Sequence, residues 1–454
     1  MSKILARFEA LHPKSAELAR RARQVFPDGV THDLRRMTPF SLYVSRASGS
    51  RKWDVDGNEL VDYVMGHGAL LLGHNHPEVT GAVAEQLLRG SHYGASHELE
   101  LRWGELVLRL VPSAGLVRFT SSGTEATMMA VRLARAYTER PLLVRFAGHF
   151  HGWNDLMSGQ PRPGNDSVTP AAPGIPAGTL ESIVVLPQND AGRFRDFVRR
   201  RGDEIAAVIV EPTGASWGTI PLDPGFLAVL REETAACGAV LIFDEVITGF
   251  RVAPGGAQER YGVTPDLTTL AKILAGGLPG GAVCGREDIM DLIRFRDDAD
   301  WNATRRIAHP GTFNANPLSA AAGSTCLSII ADGRAQDRAA DTCRTLVAGM
   351  NRLLREAGVS GCVYGERSMF HIALGVEPRL IDDFAWDWRG EPGASMPPAD
   401  ARATAALRRA LINEGVDLMG SGGMVSAVHS ADDVAFTLEA FERALRALKE
   451  DGLV

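Results

Sequence analysis

Two hydrophobic periodicities share this chain, and the change from one to the other marks its organisation. Up to about residue 70, a helical opening (MSKILARFEALHPKSAELARRARQVF) leads into short alternating runs, SLYVSRASGS, RKWDVDGN and ELVDYVM, with DGN as a turn between them. From about 75 to 325, compact apolar runs (LVRFT, LLVRF, SIVVLP, AAVIVEP, AVLIFDEV, GAVCG) alternate with stretches of helical period such as TEATMMAVRLARAYTE and FLAVLREETAACG. Strands apolar on both faces and separated by helices predict a mostly parallel sheet covered on both sides, with ligands at the carboxyl ends of its strands. Beyond 325, helical segments surround a strand near SMFHIALG and predict an α+β lobe. The expected division is therefore 1–70 and 326–454 for a small domain and 71–325 for a large one. Gly/Pro-rich 158–178 and Trp/Pro-rich 382–399 read as loops, of the kind that close over substrates.

Composition narrows the function classes. With 48 Lys and Arg against 55 Asp and Glu, the chain of 454 residues carries a net charge of −7, which argues against nucleic acid or an anionic membrane as partner. No run approaches the roughly 18–20 apolar residues of a membrane span. Glu9 and Glu17 interrupt the amino-terminal stretch, which reads as a surface helix and not a signal. The five cysteines are odd in number and never form a CxxC pair, so neither a disulfide frame nor a zinc site is expected, and a cytoplasmic setting is.

Basic residues are distributed unevenly by type. Only five are lysines (Lys3, Lys14, Lys52, Lys272 and Lys449), and Lys272 stands alone between 53 and 448, where an apolar run meets a glycine-rich turn. A guanidinium cannot form a Schiff base, so a lone lysine there points to amine chemistry, against the alternative of a chance surface lysine. In VRFTSSGTEATMM a strand runs into Ser122, Gly123 and Thr124 at a helix start, which suits a phosphate or an ordinary N-cap. In AVLIFDEVITGFR a buried strand delivers Asp244, able to cap a helix, hold a metal or pair with a protonated ring nitrogen. Phosphate corner, strand-end acid and strand-end lysine in this order are what a pyridoxal phosphate enzyme requires. His74 with His76, and His149 with His151, have zinc-like spacing but read as structural.

The segments PDGV (27–30), WDVDGNELVDY (53–63), LLGHNHPEV (71–79), SSGTEA (121–126), HFHGW (149–153), EP (211–212), FDEVITGFR (243–251), LAKILAGGLPGGA (270–282) and GTFNANP (311–317) together resemble the class III aminotransferases of pyridoxal phosphate fold type I. Within that family the chain resembles the glutamate-1-semialdehyde aminomutase branch. The resemblance implies that Lys272 is the Schiff-base lysine and proton shuttle, and that Asp244 pairs with the pyridine nitrogen. It implies ring contacts from Val246 and Phe150, phosphate contacts from Ser122, Gly123 and Thr124, further cofactor contacts from His151 and Glu211, and Thr312 reaching the phosphate of a second subunit in a homodimer with shared sites. Arg35 falls where that branch binds a substrate carboxylate, with Arg36 as the neighbouring alternative. Gly66, His67 and Gly68, and Ala215, Ser216 and Trp217, depart from the aminomutase pattern. GHGALLLGH, ASHELELRW, GHFHGWND and MVSAVH are instead similar to the D-phenylglycine aminotransferases, with His67 and Trp217 shaping the substrate pocket. The expected activity is ping-pong transfer from an amino acid, an aromatic D-amino acid among the candidates, to a keto acid; the alternative is intramolecular transfer by an aminomutase.

Overall fold

The computed structural model describes residues 2–162, 168–387 and 399–454. These form two compact units, one of residues 2–76, 334–387 and 399–454 and the other of 77–162 and 168–333. Parts of both expected loops, 163–167 and 388–398, lie outside the described residues.

The second unit is organised by a seven-stranded sheet. Its strands are β1 (Leu116–Thr120), β2 (Leu142–Phe146), β3 (Ile183–Leu186), β4 (Ile205–Val210), β5 (Val240–Asp244), β6 (Leu267–Ala271) and β7 (Gly281–Gly285). They lie in the order β1-β7-β6-β5-β4-β2-β3. Only β7 runs antiparallel to its neighbours, so the mostly parallel α/β sheet read from the sequence is present. Every residue of β2, β4, β5 and β6 is buried, as both-face coverage demands. Helices α1 (Gly123–Thr138) and α2 (Pro224–Cys237) each connect two strands. α2 shows why its boundaries fall where they do: Asp223 caps it, Pro224 opens it, and Gly238 closes it at φ 74°.

Lys272 is not on a strand but is the first residue past β6, opening a short 3-10 turn to Ala275 at φ 53°. The turn is forced by close packing behind it: a Cβ on Gly276 would come within 2.7 Å of the Ala322 carbonyl oxygen.

In the first unit, strands Val44–Ser48, Arg51–Asp54 and Glu59–Asp62 pair antiparallel, and Val416–Asp417 joins the last of them in parallel. The DGN segment makes the expected turn, with Gly57 at φ 96° and Asp54 Oδ1 accepting from the Asn58 N–H at 2.7 Å. Helix Ala431–Glu450 starts at a reciprocal cap between Ser430 and Asp433, and it buries Val434, Thr437, Phe441, Ala444, Leu445 and Leu448 at helical spacing. Among the described residues no helix is long and apolar enough to cross a membrane.

Candidate active site

The strand ends of β5 and β6 carry the chemistry. Parallel register sets Asp244 opposite Thr269. The Asp244 carboxylate is held from three directions: Oδ1 accepts from the Thr269 hydroxyl at 3.2 Å and from the Val246 N–H at 3.1 Å, while Oδ2 meets His151 Nδ1 at 2.7 Å. His151 is itself fixed from α1, whose Thr127 hydroxyl donates to the His151 carbonyl at 2.7 Å. With the Nδ1 hydrogen spent on Asp244, His151 Nε2 is left buried without a partner. Burial pulls the His151 imidazole below its usual range against the opposing pull of Asp244.

The HFHGW loop is shaped from beneath by Arg145 of β2, whose guanidinium donates to the carbonyls of Met157 and His149. No carboxylate pairs with Arg145 among the described residues, and burial lowers it to about 10. His149 uses both ring nitrogens. Nδ1 accepts from the Glu211 N–H at 3.0 Å, so Nε2 bears the hydrogen that meets Gln188 Oε1 at 2.7 Å. Burial, then His151, pushes His149 down to about 3, which keeps it neutral. His74 Nε2 lies 2.8 Å from Asp62 in the other unit. Among the described residues no group of three or more His, Cys, Asp or Glu is arranged to hold a metal ion.

At the other side of β6, the corner between β1 and α1 has the donors that could hold an anion. The Ser122 hydroxyl accepts from the Glu125 N–H at 3.3 Å, which leaves its own hydrogen to donate. Gly123 and Thr124 head a helix of 16 residues, where first-turn N–H groups have no intrahelical acceptor and the dipole favours an anion. A Cβ on Gly123 would meet Val246 Cγ2 at 2.9 Å and Ala271 Cβ at 3.5 Å, so glycine lets this corner close onto the ends of β5 and β6.

Lys272 follows directly. Its side chain is half-buried, and no hydrogen bond or ion pair reaches its Nζ among the described residues. Burial lowers its ammonium to about 8, with Asp244 and Glu211 opposing the shift. Phe150 leaves its ring 64% exposed, an open face for a planar group. A corner with donors for a phosphate, an unpartnered amine, an orphaned ring nitrogen behind an anchored carboxylate and a bare aromatic face fit pyridoxal phosphate.

Other expected site residues are placed differently. Arg35 and His67 belong to the first unit: Arg35 is exposed and donates to Thr31 Oγ1 at 3.0 Å, and His67, at φ 55°, stacks on His32 with ring centroids 5.0 Å apart. Thr312 is exposed. Sequence reasoning missed Thr269, Thr127, Arg145 and Gln188. The one available signal was Arg145, a charge inside an otherwise apolar strand LLVRF.

The sheet, its strand-end lysine and aspartate and the phosphate corner define a fold type I pyridoxal phosphate enzyme. The class-III aminotransferase family model matches residues 34–379, and the chain belongs to that family, with pyridoxal phosphate as its cofactor. It is 41% identical to the glutamate-1-semialdehyde 2,1-aminomutase of Methanopyrus kandleri over 97% of this chain and 99% of that one. Identity is 40% with the same enzyme of Methanothermobacter thermautotrophicus, covering 96% and 100%. Among solved structures, an omega-transaminase from Sphaerobacter thermophilus matches with a TM-score of 0.86 at 38% identity, over 96% of this chain and 98% of that one.

Proposed function

We propose that the protein moves an amino group within one carboxylate-bearing substrate, as glutamate-1-semialdehyde 2,1-aminomutases do. The observation that carries amino-group chemistry is half-buried Lys272, its Nζ without a partner beside the Asp244–His151 pair. The 41% and 40% identities to two such aminomutases favour this alternative over D-phenylglycine transamination. When bound, pyridoxal phosphate supplies an aldehyde that condenses with amines and a cationic ring that accepts the electron pair left when a substrate carbon loses its proton. Asp244, held by Thr269 and Val246, would pair with that ring nitrogen. Ser122, Gly123 and Thr124 would bind the phosphate, and Phe150 and Val246 would cover the ring. Lys272, lowered to about 8, would hold the aldehyde and, once displaced, take a proton at Nζ and return it two atoms further on.

A second reading, transfer from a donor amino acid to a keto acid, is favoured by two departures from the aminomutase pattern, at 66–68 and 215–217, and by the 38% identity to the omega-transaminase. We further propose a homodimer, with Thr312 serving the neighbouring site; exposed Leu87, Leu88, Leu101 and Phe313 supply apolar surface for it. Five free cysteines, with burial raising Cys326 to about 12, suit a reducing cytoplasm.

The test is to incubate the coenzyme-loaded protein with glutamate-1-semialdehyde alone, and separately with D-phenylglycine and 2-oxoglutarate. Isomerisation without any acceptor is expected. Turnover that requires the keto acid would transfer the assignment to the second reading.

A further inference from the structure

We propose that Glu211 is a positioning residue whose single carboxylate fixes Phe150 and the Ser216–Trp217 turn as one unit, and so sets which substrates are accepted. The inference rests on the reading of this site as a pyridoxal phosphate site. Glu211 Oε1 accepts from the N–H of Phe150 at 2.7 Å and of Ser216 at 2.9 Å, and Oε2 accepts from the N–H of Trp217 at 2.8 Å. Ser216 and Trp217 are both left-handed, at φ 48° and 54°, a conformation that neither side chain favours. Consecutive N–H groups converging on one carboxyl form the kind of nest that holds such a pair of residues. The backbone around them is braced separately: Gln188 Oε1 accepts from the Ala215 N–H at 3.3 Å, and its Nε2 donates to the Ile220 carbonyl at 3.0 Å. A Cβ at Gly214, φ 105°, would run into that same carbonyl, so the turn has no room to relax on this side. This carboxyl therefore ties the open aromatic face to the segment where this chain departs from the aminomutase pattern, beside a bond from Ser216 Oγ to the Gly148 carbonyl at 3.3 Å. Burial, then Asp244, pushes Glu211 up to about 8, and the three N–H donors oppose that by binding its charged form.

Glu211→Gln replaces one acceptor with an amide donor that faces an N–H. In the coenzyme-loaded protein, amide hydrogen exchange at 216 and 217 is expected to quicken at least about tenfold while β4 stays protected. The ratio of kcat/KM between a bulky and a small amino substrate should shift at least about fivefold. Adding Ser216→Gly should bring the ratio back toward wild type, because glycine takes the left-handed region freely. Unchanged exchange, or an equal fall in kcat/KM for every substrate, would overturn the proposal. If Glu211→Gln does not fold, Glu211→Asp must still quicken exchange at 216 and 217, and wild-type protection there would overturn it equally. Failure of the wild type to act on any amino substrate would remove the functional reading, while the exchange result would still decide the clamp.

Discussion

Two lysines, Lys52 buried in the first unit and Lys272 half-buried in the second, stand apart from the other three, which are exposed, and the fold treats them in opposite ways. Lys52 Nζ sits 2.7 Å from Asp62 Oδ1 and 2.8 Å from Asp417 Oδ2, joining strands Arg51–Asp54, Glu59–Asp62 and Val416–Asp417. Burial opposes its charge, but Asp417 and Asp62 outweigh it and hold the ammonium above the ordinary lysine value. Lys272 is also penalised by burial, has no ion pair and falls to about 8. Desolvation is common to both, so the presence of an adjacent carboxylate decides between a permanent structural cation and an amine that can be freed for chemistry near neutral pH. Asp244 illustrates how the second outcome is kept: its oxygens are committed to Thr269, Val246 and His151.

The largest effect expected from this contrast is on turnover. Lys272→Ala should cut it by more than the roughly 10²–10⁴-fold share of a positioned proton-transfer group, because the covalent holding group is lost as well. Its stability should stay within about 1 kcal/mol of wild type, since no partner is left unsatisfied. Steady-state kinetics and urea melts measure both. Retained turnover would sink the assignment, and a large loss of stability would show that Lys272 has a structural partner after all.

Lys272 and Asp244 were legible in the sequence because each is a distinctive residue type at the end of an apolar run. The rest of the site was assembled by register and by loop geometry. Thr269 reaches Asp244 only because β5 and β6 align those two positions. GAVCG looks like its parallel neighbours, yet β7 runs the other way. Serine and tryptophan carry no left-handed signal at 216 and 217, where both N–H groups bond to the Glu211 carboxyl five and six residues back. Lys52 could not be told from a surface lysine, because its two carboxylates arrive from Asp62 and from Asp417 more than 350 residues on.

Next in size is the stability of the first unit. Lys52→Met removes the cation and leaves Asp62 buried with His74 and the Val64 N–H, and Asp417 buried with Arg408. Breaking a buried pair by deleting one partner costs about 3–5 kcal/mol, and that is the loss expected in urea unfolding. The comparison with Lys272→Ala is direct, since each variant deletes one of these two lysines. Equal stabilities for the two would erase the distinction drawn here.

The smallest effect is on the pH dependence of stability, and it discriminates most finely. Asp62 and Asp417 are penalised by burial, yet Lys52, with His74 for one and Arg408 for the other, holds both carboxyls below their ordinary range. A depressed carboxyl contributes stability that is fully present above its unfolded value of about 3.9 and is lost as the pH falls through the folded value. Lys52, being raised, contributes below its unfolded value of about 10.4 and loses that contribution as the pH rises through the folded value. Wild-type stability should therefore fall below about pH 4. In Lys52→Met the burial penalty goes unopposed by the ammonium, so both carboxyls rise, protonation relieves the buried charge, and the acid decline should flatten. A decline as steep as that of wild type would mean that Arg408 and His74, and not Lys52, keep these carboxylates ionised.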